Sequence, residues 1–297
     1  MHTHTLMTTD GIRLHAESKG TGPTMLLCNG LFCTTQYFVP WWNHFSQSHR
    51  LVQFDYRSHG ASDDDPDPKN VTIERLVDDA ALMLERLCPE QTIVVGHSMG
   101  VRVALELYYR YPHRIPTLLL LCGSAFDSMG PVPSFAPFRQ AVLGTLRAAD
   151  HAVPLAKLIK DVTVGQDLVS KVAYLLGGMS RTLTPREPVE ALLANLDRLD
   201  VRMMTTLARS YIRHSGRAIL PLVRVPTLFL VGEKDSLALP SHAWDVSRLM
   251  PDCEPYSVRG CTHLAPVERP AEVHRAAESF LERRGGAAVV EAARAAS

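Results

Sequence analysis

The sequence has no excess of charge of either sign, since 31 lysines and arginines are matched by 31 aspartates and glutamates in 297 residues. A chain without a concentration of basic residues is not expected to attract nucleic acid or an anionic membrane surface. The composition therefore favours neutral, small or apolar partners.

Long hydrophobic runs are absent as well. The longest aliphatic run, Leu118–Leu121, is far shorter than the roughly 20 residues that a membrane-spanning helix needs. The first thirty residues lack a charged start followed by a sustained apolar run, so no signal peptide is predicted. We expect a cytoplasmic protein without stable membrane insertion.

Cysteine is sparse and scattered: the six cysteines form no C-x-x-C pair. Buried free thiols are therefore expected rather than a disulfide framework. No group of histidines and cysteines has the spacing of metal ligands, so the sequence predicts neither a metal site nor another cofactor.

What the sequence does contain is an alternation of strand and helix patterns. Asp10-Gly11 indicates an opening hairpin between residues 4–8 and 12–17, and the apolar spacing from Ile73 to Leu87 predicts a helix. This alternation predicts a mostly parallel, twisted sheet with helices on both faces and the hairpin at one edge. Short apolar runs give the remaining predicted strands: Thr24–Cys28, Leu51–Tyr56, Thr92–Val95, Thr117–Cys122, Thr227–Val231 and Glu254–Val258.

Residues 125–220 interrupt the alternation with several helical patterns and no convincing strand. We expect a helical cap here, inserted between two late strands, with Gly177-Gly178 as a candidate hinge. Residues 1–124 and 221–284 then form the core. The Ala-rich tail, residues 285–297, is expected to be a frayed helix or disordered.

A candidate nucleophile lies in Gly96-His97-Ser98-Met99-Gly100, which directly follows the predicted strand Thr92–Val95 and opens a helix. A serine at such a strand-to-helix turn has strained backbone angles, and small flanking residues relieve the crowding. The turn lifts the hydroxyl to the carboxyl edge of the sheet. The sequence therefore predicts Ser98 as a nucleophile, against the alternative of a glycine-rich connection with an incidental serine.

A serine hydroxyl needs a base, and the partners of this turn follow in the order acid, then base. Asp235 and His263 each lie in a loop just after a predicted strand. His263 is expected to take and return the Ser98 proton, while Asp235 holds the imidazole in the useful tautomer. Asp127, after the preceding strand, is the reserve acid, and His97 is expected to support the turn.

Acyl transfer also needs hydrogen-bond donors for the developing oxyanion. One is expected to be the backbone N–H of Met99, the residue after the nucleophile. The other is expected in the loop after the strand Thr24–Cys28, which reads Asn29-Gly30-Leu31-Phe32.

At this point the chain resembles the α/β-hydrolase fold family, in its esterase, lactonase and haloperoxidase-like group. In that group a His-Gly pair follows this strand and the next residue supplies the second donor, which implies the N–H of Leu31. Residues 55–62, DYRSHGAS, are similar to the group's D-x-R-G-x-G-x-S stretch. Three positions depart from the pattern: Asn29 stands for His, Ser58 for the first Gly, and Val101 for a Gly after the turn.

The predicted cap is rich in apolar, adaptable side chains, which predicts an apolar acyl pocket. The side chains expected to bind substrate are Phe32, Phe126, Met129, Leu237 and Leu264. Arg102 is expected near the pocket mouth or, more simply, in a surface ion pair. A small-molecule ester is the expected partner, and the chain is expected to be a monomer or homodimer.

The leading interpretation is hydrolysis of carboxylic esters of small to medium apolar substrates through a Ser98 acyl-enzyme. The same three residues are compatible with carbon–carbon bond hydrolysis, lactone opening, acyl transfer, cofactor-free perhydrolysis or hydroxynitrile lyase chemistry. Dehalogenase and epoxide hydrolase activities are disfavoured, because those relatives use a carboxylate where Ser98 stands. A non-catalytic binding protein of the same fold is the alternative from a different class.

Overall fold

A single sheet of eight strands runs through the described part of the chain. The computed structural model describes residues 1–88, 91–126, 136–165, 168–175 and 177–285. The predicted reserve acid Asp127, the predicted substrate residue Met129 and residues 286–297 of the tail lie outside these ranges. The strands are β1 (His2–Met7), β2 (Arg13–Lys19), β3 (Thr24–Cys28), β4 (Arg50–Phe54), β5 (Thr92–His97), β6 (Leu118–Leu121), β7 (Thr227–Gly232) and β8 (Cys253–Val258).

The spatial order of the strands is β1-β2-β4-β3-β5-β6-β7-β8. The pairs β1–β2 and β2–β4 are antiparallel, and every later pair is parallel. The predicted fold class, a mostly parallel sheet with an antiparallel hairpin at one edge, is thereby confirmed. The carboxyl ends of the parallel strands meet along one edge, where ligands bind in open α/β sheets.

Helices cover both faces of the sheet. The described helices are α1 (Val39–Phe45), α2 (Ile73–Arg86), α3 (Gly100–Arg110), α4 (Ala136–His151), α5 (Val153–Gly165), α6 (Leu168–Leu175), α7 (Arg186–Arg198), α8 (Val201–Arg213), α9 (Ser241–Ser247), α10 (Ala265–Glu268) and α11 (Pro270–Phe280). The side chains of α2, α3 and α9 pack on one face, and those of α1 and α11 pack on the other.

The central strands are apolar throughout because both faces are buried. In β5, Val94 points into the core beneath α2 and α3, whereas Ile93 and Val95 join the core beneath α1 and α11. Alternate residues of a strand point to opposite faces, so a strand covered on both sides needs a continuous apolar run. This is why the predicted strand positions agree closely with the observed ones.

Helices α4 to α8, which we call the helical segment, lie between β6 and β7 in the chain. Within the described parts of residues 125–220 no strand occurs. Helix α8 begins at an N-cap, Asp200, whose carboxylate accepts hydrogen bonds from the N–H groups of Arg202 (2.7 Å) and Met203 (3.4 Å). Such a cap satisfies N–H groups that have no partner within the helix.

Arg102 does not form the surface ion pair that the sequence suggested. Its side chain is fully buried, and its guanidinium donates to the carbonyl oxygens of Ser124 (2.9 Å), Tyr211 and His214. It also lies over the Tyr211 ring, 4.1 Å from the centroid. A cation is favourable at a helix C-terminus. Arg102 of α3 therefore fastens the end of α8 to the core of the sheet.

Candidate active site

Ser98 lies on the tight turn between β5 and α3, with its backbone in the left-handed region at φ +54°. Both flanking glycines are needed for close packing. A Cβ on Gly96 would lie 2.4 Å from the Gly100 carbonyl oxygen, and one on Gly100 would lie 2.1 Å from that of Cys28. The Ser98 N–H donates to the Leu121 carbonyl (3.0 Å), which fixes the strained turn against β6.

The structure brings Ser98, His263 and Asp235 into one row of hydrogen bonds. The Ser98 Oγ is 2.8 Å from Nε2 of His263, and Nδ1 of the same ring is 2.9 Å from Asp235 Oδ2. With the ring proton on Nδ1, His263 donates to the carboxylate and is free to accept the proton of Ser98. Three loops that follow β5, β7 and β8 supply these residues.

The orientation of Asp235 is fixed by its second oxygen. Oδ1 accepts hydrogen bonds from the backbone N–H groups of Leu237 and Ala238, both at 2.8 Å. The carboxylate is buried, and these two bonds together with the one to His263 hold it in place. An anion held by backbone N–H groups is well suited to stabilise a neighbouring imidazolium.

The loop after β3 lies against the nucleophile. A Cβ placed on Gly30 would be 3.2 Å from Ser98 Cβ and 3.0 Å from His97 Nδ1, so a larger residue here would be tightly crowded. Within the described ranges, the backbone N–H groups of Leu31 and Met99 donate to no protein acceptor. Met99 follows Ser98 in the chain and Leu31 follows Gly30, and the role of these two N–H groups as oxyanion donors stays a prediction.

Two of the departures from the family pattern have a physical explanation. Asn29 is buried, and its Nδ2 donates to the Phe54 carbonyl (3.1 Å), which joins the ends of β3 and β4. Ser58 adopts a left-handed backbone at φ +61°, a conformation that glycine adopts at the lowest cost. Nearby, the Asp55 carboxylate accepts from the N–H groups of Thr35 (2.9 Å) and Ala61 (3.0 Å) and so braces the loop after β3.

His97 lies behind the site, in the supporting position expected of it. Its Nε2 is 2.8 Å from the Tyr37 hydroxyl, and the two rings stack at 4.0 Å. Complete burial holds the pKa of His97 well below its ordinary value, so this ring stays neutral. A neutral ring packed against Tyr37 supports the turn and leaves His263 as the candidate base.

Three of the predicted substrate residues lie around the site. Leu264 follows His263 and lines a narrow cavity of about 20 Å³ together with Cys33, Tyr37 and Met179. Leu237 is 49% exposed. Phe32, two residues after Gly30, lines a larger cavity that is described below.

Phe126, a further predicted substrate residue, packs between two neighbouring side chains. It is 3% exposed, its ring lies 4.4 Å from that of His242, and the Arg217 guanidinium covers it at 4.8 Å. His242 belongs to α9, and Arg217 lies in the connection that follows α8. Contact of Phe126 with a substrate stays a prediction.

Two residues that hold loops of the site in place are not marked by any motif in the sequence. Asn195 of α7 donates from Nδ2 to the Phe32 carbonyl (2.9 Å) and accepts at Oδ1 from the Gly60 N–H (3.1 Å). Glu268 of α10 accepts at Oε2 from the Thr262 N–H (2.7 Å) and at Oε1 from the Ser180 N–H (3.0 Å). Both connect the helical segment to a loop of the site.

The described residues contain no group of three histidines, cysteines or acidic residues placed to hold a metal ion. Nor, in the same part of the chain, does any helix have the length and apolar character needed to cross a bilayer.

Comparison with known proteins places this arrangement in a family. A family model described as alpha/beta hydrolase fold matches residues 23–270. The chain therefore belongs to the alpha/beta hydrolase fold family, as its motifs predict. Membership of this family supports the interpretation that the chain is a hydrolase.

Individual relatives are distant. The sn-1-specific diacylglycerol lipase ABHD11 of Mus musculus is 25% identical over 281 residues, covering 89% of this chain and 83% of that protein. Bifunctional epoxide hydrolase 2 of Mus musculus is 22% identical over 306 residues; the match covers 92% of this chain but only 54% of that relative. A thermophilic esterase from Thermogutta terrifontis shares the fold with a TM-score of 0.75 and 22% identity, covering 95% of this chain and 99% of that one.

Proposed function

We propose that the chain is a serine hydrolase that cleaves carboxylic esters of apolar substrates through an acyl-enzyme on Ser98. The observation that carries the proposal is the row of hydrogen bonds from Ser98 through His263 to Asp235, at 2.8 and 2.9 Å. A nucleophile, its base and the group that orients the base are the minimum that this chemistry requires.

The proposed reaction has two halves. The Ser98 Oγ attacks the ester carbonyl while His263 Nε2 takes its proton, and the N–H groups of Leu31 and Met99 stabilise the oxyanion. The tetrahedral intermediate then collapses, and His263 returns the proton to the departing alcohol. A water molecule, deprotonated by the same nitrogen, hydrolyses the acyl-enzyme and regenerates the Ser98 hydroxyl.

The serine at the turn after β5 favours ester cleavage over epoxide opening, although both activities occur among the named relatives. The mouse diacylglycerol lipase is matched over 83% of its own length, and the mouse epoxide hydrolase over 54% of its own. Epoxide hydrolases of this fold use a carboxylate nucleophile, whereas this chain has a serine at the turn after β5.

We also propose that residues 125–220 act as a cap over the strand ends. Three hydrogen bonds support this role. Gly178 accepts from the Thr262 hydroxyl (3.2 Å), Asn195 donates to Phe32 (2.9 Å), and Arg198 donates to the Ser58 carbonyl (2.9 Å). Each bond joins the helical segment to a loop at the carboxyl edge of the sheet.

The decisive test is hydrolysis of p-nitrophenyl esters from acetate to dodecanoate by the wild type and by Ser98→Ala. The variant should lose about 10⁴-fold or more of kcat, because its nucleophile is gone. Ser247→Ala is the matched control, since its exposed hydroxyl donates to the Trp244 carbonyl of its own helix, α9. It should retain wild-type rates. A folded wild type that cleaves no ester and resists a fluorophosphonate probe would contradict the proposal and favour a binding protein.

A further inference from the structure

A second cavity, of about 350 Å³, lies among α4, α5, α7 and α8. Its wall includes Leu146 and Ala149 from α4, Ile159 from α5, and Met204 and Ala208 from α8. Phe32 also belongs to this wall. Phe32 is two residues after Gly30, whose position lies against Ser98, so the loop after β3 leads from the candidate nucleophile to the cavity wall. Its volume falls at the lower end of the range for small-molecule sites, about 300–1,000 Å³.

The polar groups in the cavity wall are already engaged. The Lys160 ammonium donates to the carbonyl oxygens of Asp197 (2.6 Å) and Leu199 (3.1 Å). The hydroxyls of Thr163 and Thr205 donate to carbonyls in their own helices. With these groups satisfied, the wall favours an apolar ligand over one with a charged or hydrogen-bonding head.

The cavity reaches the surface at α5. Ile159 both lines the cavity and is 58% exposed. It forms one exposed apolar stripe with Leu155, Leu158 and Val162, at the i, i+3, i+4 and i+7 positions of the helix. An apolar chain that extends beyond the cavity would therefore lie on apolar surface rather than in water.

We propose that this cavity binds the apolar chain of the ester substrate, with the chain running from the Ser98 acyl carbon past Phe32 towards Ile159. The substrate class is then esters of medium to long apolar acids. This inference rests on the proposed ester hydrolysis and adds a specific binding site to it.

Two features of the rate profile follow. Each methylene buried in the cavity should raise kcat/KM by about four-fold, until the chain reaches the mouth. Beyond that length the rate should level off without a sharp fall, because the mouth is open at Ile159. A cavity closed at its far end would instead reject longer chains by overpacking.

A matched pair of substitutions on α4 tests the site. Ala149 lines the cavity, whereas Ala148, its neighbour on the same helix, is exposed. Ala149→Phe should lower the ratio of kcat/KM for dodecanoate over acetate at least ten-fold, while Ala148→Phe should keep the wild-type ratio. Ala208→Phe fills the same cavity from α8 and should act like Ala149→Phe.

A binding measurement separates this inference from the proposed function. Dodecanoate titrated calorimetrically into Ser98→Ala should bind saturably, and adding Ala149→Phe should weaken that binding at least ten-fold. Absence of saturable binding, or equal loss of acetate and dodecanoate hydrolysis in a folded Ala149→Phe variant, would overturn the cavity assignment. Ester hydrolysis that depends on Ser98 would then still stand. An enzyme inert to all esters that binds dodecanoate here would overturn only the proposed function.

Discussion

Replacing Asp235 by asparagine tests whether the buried carboxylate acts through the tautomer of His263. Asp235 Oδ1 accepts from two backbone N–H groups at 2.8 Å, those of Leu237 and Ala238. An asparagine must keep its amide oxygen towards these donors, because its NH₂ group would face them without an acceptor. The NH₂ group therefore faces His263 Nδ1, in the place that Oδ2 occupies at 2.9 Å.

This orientation reverses the tautomer of the candidate base. An NH₂ donor facing Nδ1 requires Nδ1 to be the acceptor, which puts the ring proton on Nε2. His263 then meets the Ser98 hydroxyl with a proton instead of a lone pair, over the same 2.8 Å. The equivalent change in a serine protease lowers kcat about 10⁴-fold, or roughly 5 kcal/mol of transition-state stabilisation. The folding free energy should change far less, by about 1 kcal/mol, since both backbone bonds survive.

The assay compares kcat for a p-nitrophenyl ester with the melting temperature, in Asp235→Asn and in a control. Asp245→Asn is the control, because its half-exposed carboxylate pairs with Arg248, just after α9 and away from His263 in the chain. The control should keep both wild-type values. Retention of more than a tenth of kcat by Asp235→Asn would refute the tautomer argument. Asp127 would then be the acid to replace.

Two further predictions concern residues outside the row of three. Asn195→Ala removes both bonds that hold the Phe32 carbonyl (2.9 Å) and the Gly60 N–H (3.1 Å), so kcat for acetate esters should fall about ten-fold with little change in KM. An equal rise in KM with kcat unchanged would show that Asn195 does not position the oxyanion loop. Burial lowers the pKa of His242 to about 4, while its Nε2 accepts from the Ala125 N–H (3.0 Å). The neutral ring therefore contributes to the free energy of unfolding fully above about pH 6.5. This contribution is lost as the pH falls towards 4, and about 2 kcal/mol of it is lost by pH 5. Urea unfolding should show that the unfolding free energy falls less from pH 7 to pH 5 in His242→Gln than in the wild type, by about 2 kcal/mol. An equal fall in both proteins would contradict this role of His242.

Local patterns made the fold and the row of candidate residues predictable. Ser98 directly follows β5, whereas Asp235 and His263 lie in the loops that follow β7 and β8, and parallel strands bring their carboxyl ends to one edge. The fold class is confirmed on this basis. The catalytic roles stay predictions, because hydrogen-bond distances locate the groups and do not measure a rate.

Contacts between distant parts of the chain were not predictable in the same way. Asn195 bonds partners 135 and 163 residues away, and no local pattern marks an asparagine in the middle of an amphipathic helix for that role. Arg102 was expected at the surface because arginine is rarely buried. Its burial depends on carbonyl groups at the end of α8, more than 100 residues further on. The packing of α4 against α5 and α8, which forms the larger cavity, likewise leaves no trace in helical periodicity.

The contacts of the helical segment also distinguish between two routes by which a substrate could reach Ser98. Gly177-Gly178 has the composition of a hinge, and Gly177 has φ +76°. Movement there would break the bond from the Thr262 hydroxyl to Gly178 and the bond from the Ser180 N–H to Glu268. Since Glu268 also holds the Thr262 N–H, next to His263, that movement would disturb the loop of the candidate base. Entry along α5, where the larger cavity is already open at Ile159, leaves all three bonds intact, so we infer that an apolar substrate enters there.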